Sequence, residues 1–131
     1  MEIRIVDVIE EKIYGIDGSL IIREELVKNP VKVKIKEITS EELLNIISKT
    51  QLIDIREPYE YEEGHIEGSI NIPMGDFLGK LNQLDKTKQI IIYCNTGRRS
   101  KPVVYMTHRL HNISLYNLEG GYKNFLKASA K

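Results

Sequence analysis

Ile90-Ile91-Ile92-Tyr93-Cys94-Asn95-Thr96-Gly97-Arg98-Arg99-Ser100-Lys101-Pro102 changes character twice. Its first four residues favour β structure without a polar interruption, the pattern of a strand buried on both faces. The polar, glycine-centred stretch that follows cannot extend that strand. Ser100-Lys101-Pro102 then opens a helix, because proline is tolerated in a first turn, where its missing N–H is not needed. Val103, Met106, Thr107 and Leu110 recur at helical spacing and form the expected inward face. A buried strand, a tight loop and a helix are the repeating unit of an α/β sheet, in which ligands bind at the carboxyl ends of strands. Cys94 stands at such an end.

The neighbouring segments extend the pattern. Val31 to Ile35 alternates apolar and basic residues, as a half-exposed strand does. Thr39-Ser40-Glu41-Glu42 is a capping box, and Leu43, Ile46 and Ile47 give the helix after it one apolar face. Gln51 to Ile55 reads as a short strand, Pro58 to Glu63 as a helix stopped by Gly64, and Ser69 to Ile72 as a strand closed by Pro73. Ser114 to Leu118 is a last strand, and Gly120-Gly121 turns into a closing helix with Tyr122, Phe125 and Leu126. The fold class is α/β: a mostly parallel central sheet with helices on both faces. Residues 1–30 read differently. Asp17-Gly18, between Ile13-Ile16 and Ser19-Ile22, is a two-residue hairpin signal, and Asn29-Pro30 breaks the chain before a main domain at 31–131. The expected appendage is a β-hairpin that covers a sheet edge or makes a dimer contact.

Composition narrows the function. The chain has 131 residues, 41% of them hydrophobic, which suits one compact domain. Nineteen basic side chains balance nineteen acidic ones, which speaks against a nucleic-acid partner. No apolar run reaches the length of a membrane span, and the early charges Asp7, Glu10, Glu11 and Lys12 do not suit a signal peptide. One cysteine and three scattered histidines make neither a disulfide framework nor a metal site. The expectation is a cytoplasmic protein with no cofactor and no metal. The zero net charge hides an asymmetry, since no acid occurs between Lys86 and Leu118 while Lys86, Lys88, Arg98, Arg99, Lys101 and Arg109 do. Cys94 therefore lies in a basic stretch that favours both a thiolate and an anionic ligand.

The loop chemistry follows. A segment such as Asn95-Thr96-Gly97-Arg98-Arg99-Ser100 can curl so that its backbone N–H groups converge on an anion, with Gly97 supplying the unusual backbone angles. The following helix adds its positive end. A thiolate held there can attack an electrophilic sulfur and keep it as Cys–S–S⁻, the outer sulfur facing amide donors with no acid nearby in sequence. Sulfite is a good leaving group, so no histidine base is required beside the cysteine. An exposed thiolate of this kind is also expected to be sensitive to peroxide. The plainer alternative is a buried cysteine acting as a small hydrophobe.

Cys94-Asn95-Thr96-Gly97-Arg98-Arg99-Ser100 resembles the Cys-x-x-Gly-x-Arg-Ser active-site loop of single-domain rhodaneses. Asp54-Ile55-Arg56-Glu57-Pro58-Tyr59-Glu60-Tyr61-Glu62-Glu63-Gly64-His65-Ile66-Glu67-Gly68-Ser69-Ile70-Asn71-Ile72-Pro73 is similar to the second signature of that family. Asn117-Leu118-Glu119-Gly120-Gly121-Tyr122 resembles its closing motif, with Phe125 where tryptophan is frequent. The resemblance implies a sulfurtransferase with Cys94 as the persulfide-bearing nucleophile and the amides of Asn95 to Ser100 as the sulfur cradle. Arg99 would hold the loop or engage the donor. Asp54 and Arg56 would give polar support beside the site, or equally an ion pair tying the second strand to a loop. His65 reads as structural, and His108 and His111 as solvent-facing. The implied partners are a small anionic sulfur donor such as thiosulfate, a thiol or cyanide acceptor, and a protein donor or acceptor if the chain is a relay docking to one partner. A phosphatase or arsenate reductase fits less well: their Cys-x5-Arg loop needs arginine where Ser100 stands, and phosphoryl chemistry wants a nearby acid. A binding module that has lost its cysteine is disfavoured by Cys94 itself.

Overall fold

The computed structural model of the chain describes residues 2–4 and 33–130. The 13–22 hairpin expected from Asp17-Gly18, and the 1–30 appendage as a whole apart from residues 2–4, lie outside the described residues. Strands β1 (Glu2–Arg4), β2 (Val33–Ile38), β3 (Thr50–Asp54), β4 (Ile70–Asn71), β5 (Gln89–Tyr93) and β6 (Tyr116–Leu118) form one sheet in the order β1-β2-β6-β5-β3-β4. The five strands from β2 to β4 in that order run parallel, and β1 joins β2 antiparallel. Helices α1 (Ser40–Ile46), α2 (Pro58–Glu63), α3 (Met74–Phe77) and α4 (Ser100–His111) lie in the connections between strands, and α5 (Gly121–Ser129) follows β6. The sheet is thus the mostly parallel α/β arrangement expected.

Two cores form because the sheet has two apolar faces. On one side Ile35, Ile53, Ile90, Ile92 and Leu115 pack with Phe77, Val104 and Met106. On the other Ile38, Leu52, Ile91, Tyr93 and Leu118 pack with Leu43 and Phe125. Neighbours in β5 alternate between these two cores, which is why its sequence is apolar without a break. The capping box of α1 is present, Glu42 N donating to Thr39 Oγ1 and Thr39 N to Glu42 Oε1. Pro58 opens α2 and Gly64 ends it, as its sequence signals indicate.

Two expectations are corrected. β2 runs from 33 to 38, beyond the expected Ile35, because its polar residues also find partners: Lys36 Nζ meets Ser114 Oγ at 2.7 Å and Glu37 meets Asn117. On α4 it is Val104 that is buried, while Leu110 is 41% exposed. Ser100 is itself fully buried and sets the helical phase, so the inward line runs through 100, 104 and 107.

Candidate active site

β5 delivers Cys94 to the carboxyl edge of the sheet, and α4 begins six residues later at Ser100. Between them the loop turns back on itself at Gly97, whose φ is 94°. This turn carries the Gly97 N–H to the cysteine, where it donates to Sγ at 3.1 Å. Ser100 Oγ lies 3.4 Å from the same sulfur, and the positive end of α4 faces the loop. Cys94 is only 1% exposed, so the expected exposed thiolate is not found. The loop curls over the sulfur and Ser100 and Asn117, both fully buried, fill the space around it. Burial alone suits an inert cysteine; an amide, a hydroxyl and a helix terminus converging on its sulfur do not.

The loop is clamped from outside by α5. Tyr122 N donates to Cys94 O at 2.9 Å and Lys123 N to Asn95 O at 3.1 Å. The first-turn amides of one helix thus satisfy the carbonyls of the loop that opens another. Gly121, at φ 66°, permits the approach: a Cβ there would stand 2.5 Å from Cys94 O and 2.6 Å from Asn95 O. Both obstacles are backbone and cannot swing aside. Gly121→Ala is therefore expected to destabilise the fold by about 1–3 kcal/mol through strain at a left-handed position and displaced loop atoms. Urea denaturation against wild type measures it, and an unchanged midpoint would show that the loop tolerates the shift.

The sequence-derived residues are distributed around this centre. Arg99 is half-buried and forms a bidentate pair with Glu60 of α2, Nη1 to Oε1 at 2.9 Å and Nη2 to Oε2 at 3.1 Å. The loop thus has an acid beside it after all, brought in by the fold from a distant segment. The hydrogen bonds from Arg99 hold the Glu60 carboxyl below its usual range, and those same bonds raise Arg99. Arg98 and Thr96 are exposed, and Asn95 is partly buried. Asp54 and Arg56 are brought together as a buried ion pair, Nη2 to Oδ2 at 2.7 Å, and Arg56 Nη2 also donates to Gly64 O at 2.7 Å. Burial alone would lower the Arg56 guanidinium, but the bonds and charge of Asp54 outweigh it and raise the pKa. The Arg56 guanidinium also lies over Tyr122, 4.7 Å from the ring centroid, at the start of the clamping helix. His65 stacks on Tyr61 and bonds its carbonyl through Nδ1 at 2.7 Å, while His108 and His111 are exposed.

Three partners escaped the sequence reading as site residues: Glu60, Asn117 and Glu37. Asn117 is the residue with a visible signal, being a polar side chain inside a short strand next to Leu118. It is fully buried, and its Nδ2 donates to Glu37 Oε2 at 2.7 Å while its Oδ1 accepts from Ser100 Oγ at 2.5 Å. Among the described residues no cluster of three metal-ligating side chains occurs, and no helix is long and apolar enough to cross a membrane.

Comparison with known proteins places this geometry. The family model described as rhodanese-like domain matches residues 39–128. The uncharacterized protein YqhL of Bacillus subtilis (strain 168) is 37% identical over 90 residues, covering 69% of this chain and 71% of that protein. The putative sulfur carrier protein YrkF of the same organism is 39% identical over 66 residues; the match covers 50% of this chain but only 32% of that protein. Among solved structures, a rhodanese-related protein from Thermoplasma volcanium superposes with a TM-score of 0.66 at 29% identity, covering 71% of this chain and 92% of its own. A parallel sheet carrying a cysteine loop clamped between two helices, and a family model matched over most of the chain, lead to one conclusion: the chain belongs to the rhodanese-like domain family.

Proposed function

We propose that the chain moves sulfane sulfur from a small anionic donor such as thiosulfate to a thiophilic acceptor through a persulfide on Cys94. The observation that carries this reading is the convergence of the Gly97 N–H and the α4 terminus on the Cys94 sulfur. In the first step the Cys94 thiolate attacks the outer sulfur of thiosulfate. A Cys–S bond forms, the S–S bond of the donor breaks, and sulfite leaves with the electron pair. In the second step cyanide or a thiolate attacks the outer sulfur of Cys–S–S⁻, leaves as thiocyanate or a persulfide, and restores the cysteine thiolate. No proton needs to move to a side chain, and no cofactor or metal enters. The amides of Asn95 to Ser100 form the cradle for the outer sulfur. Asp54 and Arg56 act from beneath, holding Tyr122 and with it the helix that clamps the loop. Residues 31–131 form the catalytic domain and residues 1–30 an appendage; the setting is the cytoplasm.

Arg99 engages the donor by exchanging Glu60 for the anion. Arg99→Ala is expected to raise the apparent KM for thiosulfate about tenfold, the worth of one charge-assisted hydrogen bond. Its cost to stability is below about 1 kcal/mol, because exposed pairs contribute little and the Arg99 side chain is 36% exposed. That small contribution is complete above the ordinary glutamate value of 4.5 and is lost as the pH falls through the lowered value of Glu60. Steady-state kinetics with urea denaturation separate the two effects. An unchanged KM would assign Arg99 to the loop alone.

A second reading shares the same residues: a persulfide relay serving one protein partner, with thiosulfate a convenient substitute. The likeness to a putative sulfur carrier protein favours it. Residues 1–30 are then the docking element, and their deletion should spare thiosulfate turnover while abolishing delivery to the partner.

A further inference from the structure

We infer that Glu37, acting through Asn117, fixes which way the Ser100 hydroxyl faces at Cys94, so that Glu37 and Asn117 are positioning residues of the site. The inference deepens the sulfur-transfer reading, because it takes Cys94 as the reacting group. It begins from register. Glu37 and Asn117 are paired residues on the adjacent parallel strands β2 and β6, and Asn117 is paired in turn with Ile92 of β5. Glu37 follows Ile35 at the two-residue period, and Ile35 and Ile92 belong to the core beneath α4. A partly buried carboxylate and a fully buried amide thus lie side by side on an apolar face, where the amide needs a hydrogen-bond partner.

The polarity of the resulting chain follows from which groups can donate. A carboxylate only accepts, so at Glu37 it must receive the Asn117 N–H at 2.7 Å. The amide of Asn117 is thereby oriented with Oδ1 toward Ser100. Oδ1 only accepts, so it takes the single hydroxyl proton of Ser100. Ser100 then offers a lone pair, not a proton, to the cysteine sulfur 3.4 Å away. The arrangement suits a thiol, which can donate to that lone pair, and a persulfide, whose inner sulfur carries neither proton nor charge. It withholds from the bare thiolate a donor that stands next to it. The thiolate keeps the Gly97 N–H. Glu37 in this way keeps the unloaded cysteine from resting as an over-stabilised, less nucleophilic anion.

Glu37→Gln removes the constraint without changing size. A glutamine can donate or accept, so the Asn117 amide can turn over, donate to Ser100 Oγ, and release the serine proton to the thiolate at 3.4 Å, which as a charged acceptor outcompetes the Gly97 carbonyl at 3.3 Å. Charged and titratable groups on the elements around Cys94 include Arg98, Arg99 and Lys101 of the loop and α4, Glu60 of α2, Asp54 and Arg56 of β3 and its exit, and Tyr122 and Lys123 of α5, and the variant leaves all of them in place. The test is the pH profile of iodoacetamide alkylation at Cys94, the single cysteine of the chain, in wild type, Glu37→Gln, Ser100→Ala and the double variant. Glu37→Gln should move the midpoint to lower pH and raise the rate on the acid side about fivefold, the worth of one hydrogen bond. In the Ser100→Ala background the same substitution should do nothing, because the relay is cut. Asn117→Leu supplies a second cut background, in which Glu37→Gln must also be silent. A profile unmoved by Glu37→Gln, or a shift that survives undiminished in both cut backgrounds and so acts across space, overturns the inference. Alkylation needs no sulfur donor. A protein showing the coupling but never gaining sulfur would refute the transfer reading and leave the Glu37–Asn117–Ser100 hydrogen-bond chain standing, and one gaining sulfur without the coupling would do the reverse.

Discussion

Cys94→Ser protein incubated with thiosulfate should show no gain in mass, where the wild type gains one sulfur atom that cyanide then removes. The expected effect is complete loss, because a serine hydroxyl is a far poorer nucleophile and cannot hold sulfane sulfur. The substitution should leave the fold intact. Serine is close in size, and its oxygen can accept the Gly97 N–H that Sγ accepts at 3.1 Å. Intact-mass spectrometry before and after cyanide reads the outcome directly, and thermal unfolding verifies that the variant is folded. Sulfur bound to the variant would move the carrier elsewhere and sink the assignment. A wild type that gains nothing from thiosulfate, polysulfide or a cysteine-desulfurase donor would instead bring the phosphatase-like and docking-only readings forward. Because Cys94 is 1% exposed, peroxide should oxidise the resting protein more slowly than it does an exposed thiolate.

The largest loss of stability is expected for Arg56→Ala, at about 3–5 kcal/mol. Asp54 is fully buried, and Arg56 supplies it with both guanidinium contacts and a backbone N–H at 2.9 Å. Truncation keeps the last and removes the charge that makes a buried carboxylate tolerable. It also strips a donor from Gly64 O and the cation from the face of Tyr122. Equilibrium urea denaturation measures the loss. Replacing both partners by apolar residues, Asp54→Leu with Arg56→Met, should recover much of it, since the uncompensated charge is gone. A single variant that loses less than about 1 kcal/mol would show water reaching Asp54 and would reduce the pair to a surface contact.

How much of this was legible in the sequence depended on distance along the chain. The capping box at Thr39, Pro58 at the start of α2, Gly64 at its end and the unbroken apolar β5 are local signals, and each stands where its residues indicate. The cysteine loop was readable for the same reason, its glycine and helix start being neighbours of Cys94. Partners from far away were not readable. Glu60 reaches Arg99 across 39 positions and Glu37 reaches Asn117 across 80, so only the strand order reveals them. On α4 Met106 and Thr107 are buried as their spacing indicates, but Val104 is buried more deeply than Val103 and Leu110 turns outward, because nothing in the periodicity announces that a serine, Ser100, is fully buried and fixes the phase.

The hold of Tyr122 and Lys123 on the carbonyls of Cys94 and Asn95 has a consequence for how the protein comes into being. As the chain leaves the ribosome, the cysteine emerges well before the residues that close its loop. β6, which joins β2 to β5, and the start of α5 must follow before those carbonyls find their amides, so the cysteine emerges before its surroundings can be completed. Loss of the segment after Leu118 would leave every parallel strand present and the carbonyls of Cys94 and Asn95 without their amides.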